Sequence, residues 1–153
     1  MYQRILVPVD GSPTSDAGLA EAISLAQLTG GRIRLLHVVD DLPFAMAAEG
    51  YAAMSSDVLA VMNEAAEAVL KRALERVRGT PVAVETVLVP HPGGRLADRV
   101  LQQASEWPAD LVVLGTHGRR GVGRVLMGSD AEQVARTAPV PVLLVRAPNS
   151  AKA

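Results

Sequence analysis

Along this chain the spacing of apolar residues switches repeatedly between two periods. Residues 4–9 read "RILVPV", a continuous apolar run closed by Asp10-Gly11, which is the pattern of a strand buried on both faces. Pro8 has no N–H to give to a ladder, so strand pairing is expected to loosen beside it. Ser12-Pro13 then reads as an N-cap followed by a first-turn proline. Ala17, Leu19, Ala20, Ile23 and Ala26 follow at helical spacing, and Gly30-Gly31 stops the helix. "RIRLLHVVD" is a second strand, ending at Asp40. From Asp40 to Asp57 no clean period appears, and the segment reads equally as a lid over a ligand or as a plain connector. Ser56 or Asp57 is placed to cap a long helix with an apolar stripe of Val58, Met62, Ala65, Val69, Ala73 and Val77, ended by Gly79. "PVAVETVLV" is a third strand. A third helix carries Leu96, Val100, Leu101 and Ala104, and "ADLVVLG" is a bare apolar fourth strand. A fourth helix spans Ser129 to Ala138, and Pro139-Val140-Pro141 leads into the fifth strand, "VLLVR".

Five strands alternating with four helices predict an α/β fold: an open, doubly wound, five-stranded parallel sheet with helices on both faces. The 153 residues suit a single domain over residues 1–147, with a frayed polar tail at 148–153. In such a sheet a ligand lies outside the carboxyl ends of the strands, where the strand order reverses. Here those ends carry Pro8-Val9-Asp10, the Val38-Val39-Asp40 corner, and Gly115.

Composition then narrows the chemistry. Aromatics make up only 3% of the chain, so the core must be built from Val, Leu, Ile and Ala. Zero cysteines exclude disulfides, thiolate metal sites and a cysteine nucleophile. A net charge of −1 provides no general attraction to nucleic acid or to an anionic membrane. The longest apolar runs are far shorter than a membrane span, and the first ten residues reach an acid too early for a signal peptide; a cytoplasmic protein is expected.

The densest candidate chemistry is "GTHGRRGVGRVLMGSDAE", residues 115–132, directly after the fourth strand. Ser129-Asp130-Ala131-Glu132 has the S-x-x-E form of a capping box, which starts a helix at Ser129. Gly128 and Ser129 would then offer backbone N–H groups and a hydroxyl at the positive helix end, a seat for phosphate. Gly115 and Gly118 lack Cβ atoms at the strand exit, where a ligand can lie against the chain. The loop is no Walker A motif, since no Gly-Lys-Ser/Thr closes it. Nor is Gly121-Val122-Gly123 a dinucleotide fingerprint, because Leu126 occupies the third glycine position.

What the loop does match is G-x2-G-x9-G-[S/T], through Gly115, Gly118, Gly128 and Ser129. Together with "RILVPVDGS", "LLHVVD" and "APVPVLLVR", in order along nearly the whole chain, it resembles the ATP-binding branch of the universal stress protein family. The resemblance implies a Rossmann-like fold akin to that of the adenine nucleotide alpha hydrolases. It also implies that Asp10 lies by the nucleotide, that backbone near Val38 or Val39 meets adenine, that Gly115 and Gly118 line the ribose and phosphates, and that Gly128 and Ser129 hold the phosphates. Mg²⁺ or Mn²⁺ commonly accompanies ATP in that family, whose members pair their last strands, here Val142–Arg146, across a homodimer. Asp130 departs from the family's usual small apolar residue; its carboxylate suits the helix dipole and is a possible metal ligand.

The resulting nucleotide-binding set is Pro8, Val9, Asp10, Val38, Val39, Gly115, His117, Gly118, Arg119, Arg124, Gly128, Ser129 and Asp130, with no catalytic residue assigned. Structural readings stand beside it: Asp10 serves equally as a turn residue, and Arg119, Arg120 and Arg124 as solvated loop charges. His37, inside an apolar strand, reads as a satisfied core histidine. The three histidines share no zinc-ligand spacing, and the loop arginines lack the interleaved aromatics of an RNA-binding surface. A metal, a cation and an orienting base are all needed for fast phosphoryl transfer, and no base stands out. An ATP-binding regulatory protein is thus the leading reading; a weak ATPase and a nucleotide-independent dimeric interaction module are the alternatives.

Overall fold

The structure, a computed structural model, describes residues 1–39, 56–89, 95–116 and 128–146. In chain order these form β1 (Arg4–Pro8), α1 (Pro13–Thr29), β2 (Arg32–Val38), α2 (Ser56–Val77), β3 (Ala83–Val89), α3 (Leu96–Glu106), β4 (Leu111–Gly115), α4 (Ser129–Thr137) and β5 (Val142–Val145). All strand pairs are parallel, in the order β3-β2-β1-β4-β5. The chain builds outward from β1 to β3, then crosses back to lay β4 on the other side of β1. The reversal therefore falls between β1 and β4, in the middle of the sheet.

Alternation along the strands divides the core between the two faces. Ile5, Val7, Val9, Ile33, Leu35, Leu111 and Val113 pack under α1 and α2. Leu6, Leu36, Val38, Val112 and Leu114 pack under α3 and α4, together with Trp107. A strand covered on both sides must be apolar at every position, which is why "ILV" and "LVVL" are unbroken runs. The edge strands β3 and β5 are only partly buried.

Helix ends follow their local signals. Ser12 caps α1, its Oγ accepting from Ser15 N–H at 3.2 Å. Gly30 ends the helix at φ +66°, a left-handed conformation that a side chain would strain. The buried stripes differ from the sequence pattern at alanines. In α1 the buried residues are Ser15, Gly18, Leu19, Ala22 and Ala26, whereas Ala20 is exposed. In α2 Ala66 and Leu70 are buried with Val69, Ala73 and Val77, and Ala65 faces solvent. Alanine carries too little apolar surface to mark a face, so the docking of larger neighbours decides the rotation. No helix among the described residues is long and apolar enough to cross a membrane.

Candidate functional site

Pro8 shapes the reversal point. In a strand, successive residues direct their N–H and C=O groups to alternate sides. Val9 N–H donates to Leu36 O of β2 at 2.8 Å, whereas Arg4 O accepts from Asp110 N–H on the β4 side at 2.9 Å. Even-numbered positions of β1 thus face β4, and the N–H missing at Pro8 is one that β4 would have used. Pairing with β4 accordingly runs only through Ile5↔Leu111 and Leu6↔Val112, while pairing with β2 continues to Pro8↔Leu36. The loosening expected at Pro8 is confined to the side where the strand order reverses.

Beyond Pro8 the chain folds into a tight, internally bonded turn. Ser12 N–H donates to Asp10 Oδ1 at 2.9 Å, an Asx-turn, with Gly11 between them at φ +78°. Asp10 N–H donates to Ser15 Oγ at 3.2 Å, and Ser15 N–H returns to Ser12 Oγ. His37 is buried on the adjoining strand with Nδ1 2.7 Å from Val9 O, so that nitrogen carries the proton and donates. The expectation of a satisfied core histidine holds.

At the exit of β4 the glycine has a different purpose from the one its sequence context suggests. A Cβ on Gly115 would stand 2.6 Å from the carbonyl carbon of Thr14 and 2.8 Å from Ser15 N. That space is filled by the first turn of α1. A Cβ on Gly18 would in turn meet Gly115 N at 3.3 Å. The missing side chain at Gly115 thus admits the protein's own helix, a contact between α1 and β4 that is not visible in the local sequence.

After Gly115, Thr116 is buried and donates its N–H to Val145 O at 2.9 Å, and Thr116 O accepts from Gly128 N–H at 2.8 Å. Thr116 and Gly128 are therefore directly bonded, and α4 starts at the ends of β4 and β5. Gly128, not Ser129, is the N-cap: its carbonyl accepts from Glu132 N–H at 2.9 Å, the first intrahelical bond, and among the described residues no side chain caps this helix. The S-x-x-E capping box is therefore not formed, because the cap falls one residue early. Glu132 instead pairs with Arg136, whose Nη2 lies 2.7 Å from Glu132 Oε1. Gly128 has φ −59° and ψ 145°, which any residue adopts, so backbone conformation does not require glycine there.

A sequence model of the universal stress protein family matches residues 1–146. The chain belongs to that family. A universal stress protein of Methanocaldococcus jannaschii, MJ0531, is 33% identical over 149 residues, covering 97% of this chain and 84% of its own length. Among solved structures, that of the hypothetical protein MJ0577 superposes with a TM-score of 0.82 at 25% identity, covering 98% of this chain and 99% of that one. A universal stress protein from Archaeoglobus fulgidus, solved in complex with dAMP, superposes with a TM-score of 0.68 at 25% identity, covering 94% and 98%.

Within this universal stress protein the fold brings the expected residues together in part. Pro8 ends the central strand β1, with Val9 and Asp10 following it, and Gly115 ends the neighbouring strand β4. Val38 ends β2, and Val39 N–H bonds to Val89 O at 3.0 Å, so the β2 exit stays tied to the edge strand. Gly128, Ser129 and Asp130 open α4. His117, Gly118, Arg119 and Arg124, like Asp40, lie outside the described residues. Among the described residues no three His, Cys, Asp or Glu side chains gather around a metal position. Sequence reasoning missed Ser15, Gly18 and Thr116. Ser15 and Gly18 were legible only as small residues on a helix, and Thr116 only as the residue after a strand.

Proposed function

We propose that this universal stress protein binds an adenine nucleotide, ATP in the first instance, across the gap between β1 and β4. The observation that carries the reading is the amino end of α4. Its cap is a glycine, no side chain among the described residues bonds to its first amides, and it is fastened to the ends of β4 and β5 at the reversal of strand order. The first N–H groups of a helix have no intrahelical partner, and the dipole adds partial positive charge there; an oligophosphate satisfies both. The relative solved in complex with dAMP supports the adenine class.

In this reading Gly128, Ser129 and the amides of Asp130 and Ala131 hold phosphate oxygens, with Gly118, His117, Arg119 and Arg124 supplied by the loop. Asp10, held in its turn by Ser12 N–H, meets the ribose side, and Val38 and Val39 the base, with Pro8, Val9 and Gly115 forming the floor. A Mg²⁺ or Mn²⁺ ion accompanying the nucleotide would neutralise phosphate charge. Such an ion needs few protein ligands because phosphates and water complete its shell, so one carboxylate from Asp10 or Asp130 suffices. The half-buried apolar edge β5 suits pairing with a second copy through Val142–Arg146. The proposed protein is thus a cytoplasmic, dimeric nucleotide-responsive regulator with, at most, slow hydrolysis.

The test is to purify the protein without added nucleotide, denature it by heat and identify any released small molecule by chromatography. Gly128→Glu is treated identically; it is unstrained in the backbone but places a carboxylate where phosphate would sit. Release of ATP or ADP from the native protein alone supports the site. No release, with no rise in melting temperature on adding ATP and Mg²⁺, sinks it and favours the interaction module.

A further inference from the structure

The 11–12 peptide bond is gripped from both sides. Its N–H, on Ser12, is taken by Asp10 Oδ1 at 2.9 Å. Its carbonyl, on Gly11, accepts from Nη2 of Arg72 at 3.2 Å, a contact that spans 61 residues of sequence. In a trans peptide the N–H and C=O point in opposite directions, so Asp10 and Arg72 hold the same plane from opposite ends. A charged donor on the carbonyl also polarises the peptide and strengthens the bond its N–H makes. One helical turn further along α2, Arg76 Nη2 binds Asp16 Oδ2 at 2.7 Å. The two arginines reach different targets: Arg76 takes a side chain of α1, whereas Arg72 takes the backbone of the turn that carries Asp10.

We infer that Arg72 is a positioning residue for Asp10, fixing the Gly11–Ser12 peptide so that the Asp10 carboxylate is presented in one orientation at the proposed nucleotide site. Gly11 makes such an external hold useful. A glycine at φ +78° has no side chain to restrict its torsions, so the turn draws part of its rigidity from a partner on another element. The placement of α2 is thereby coupled to the site. This inference rests on the nucleotide-binding reading, but the geometry of the turn can be tested without it.

Arg72→Ala, Arg72→Lys and Arg76→Ala are compared by two measurements. Amide hydrogen exchange in nucleotide-free protein reports the Ser12 N–H, and calorimetry with ATP and Mg²⁺ reports affinity. Arg72→Ala is expected to speed Ser12 exchange and to weaken ATP binding by about three- to tenfold, the range for losing one solvent-accessible charged hydrogen bond. Arg72→Lys, which keeps a charged donor, should recover most of both effects. Arg76→Ala should lower the melting temperature as much as Arg72→Ala while leaving Ser12 exchange and ATP affinity within twofold of native. Native Ser12 exchange in Arg72→Ala would overturn the inference. So would faster exchange with unchanged ATP affinity, or equal loss of affinity in Arg76→Ala. If the native protein binds no ATP, the nucleotide-binding reading and Arg72's role at that site both fail, while Ser12 exchange still shows whether Arg72 holds the turn.

Discussion

Two strand-to-helix connections leave neighbouring strands in the middle of the sheet, and they start their helices in opposite ways. Between β1 and α1 the link is four residues long and closes on itself. Ser12 caps the helix, Asp10 takes the Ser12 amide, and Ser15 returns a hydroxyl to Asp10 N–H. Between β4 and α4 the link runs from Thr116 to Gly128, its ends joined by one backbone bond, and the helix starts from a glycine with no side-chain cap. Both helix ends carry the same partial positive charge, but at α1 a serine oxygen already occupies it. A side-chain cap takes one of the free amides at a helix start, so an uncapped end leaves more of them for a ligand anion. Position in the fold makes both ends candidates; the difference in capping is the reason the proposed phosphate seat is placed at α4.

The largest effect that would break this comparison lies at Gly115. Gly115→Ala drives a Cβ into the Thr14 carbonyl, and is expected to cost about 3 kcal/mol of stability, or roughly 10 °C in melting temperature. An unchanged melting temperature would mean that the first turn of α1 is free to move off β4. Next comes Ser12→Ala, which removes the cap of α1 and should cost about 1 kcal/mol in urea unfolding. The smallest effect is the sharpest discriminator. Ser129→Ala should change stability by less than about 0.5 kcal/mol, because Ser129 is an exposed first-turn residue and not the cap. A loss equal to that of Ser12→Ala would restore the capping box and close the α4 end to phosphate.

Much of the architecture was legible because its causes are local. Continuous apolar runs named the buried strands, Ser12-Pro13 the start of α1, and Gly30 and Gly79 the ends of helices, where both adopt positive φ. The spacing of Gly115, Gly118, Gly128 and Ser129 pointed to the carboxyl ends of the strands, where Gly115 ends β4 and Gly128 caps α4. The misreadings have two physical origins. At Ala20 and Ala65 the side chain is too small to declare a face, and at Ser129 a motif was one residue out of step with the bond that defines the cap.

Through its order of apolar periods, its turn residues and its glycine spacing, the sequence by itself determined the alternation of strands and helices and the family. Each of those signals acts within a few residues of its own position. Only the tertiary structure decided that Gly115 is small to admit α1, that the N–H absent at Pro8 is one facing β4, and that Arg72 reaches the turn beside Asp10. In each of these cases the partner lies dozens of residues away along the chain, and becomes a neighbour only when the sheet has formed.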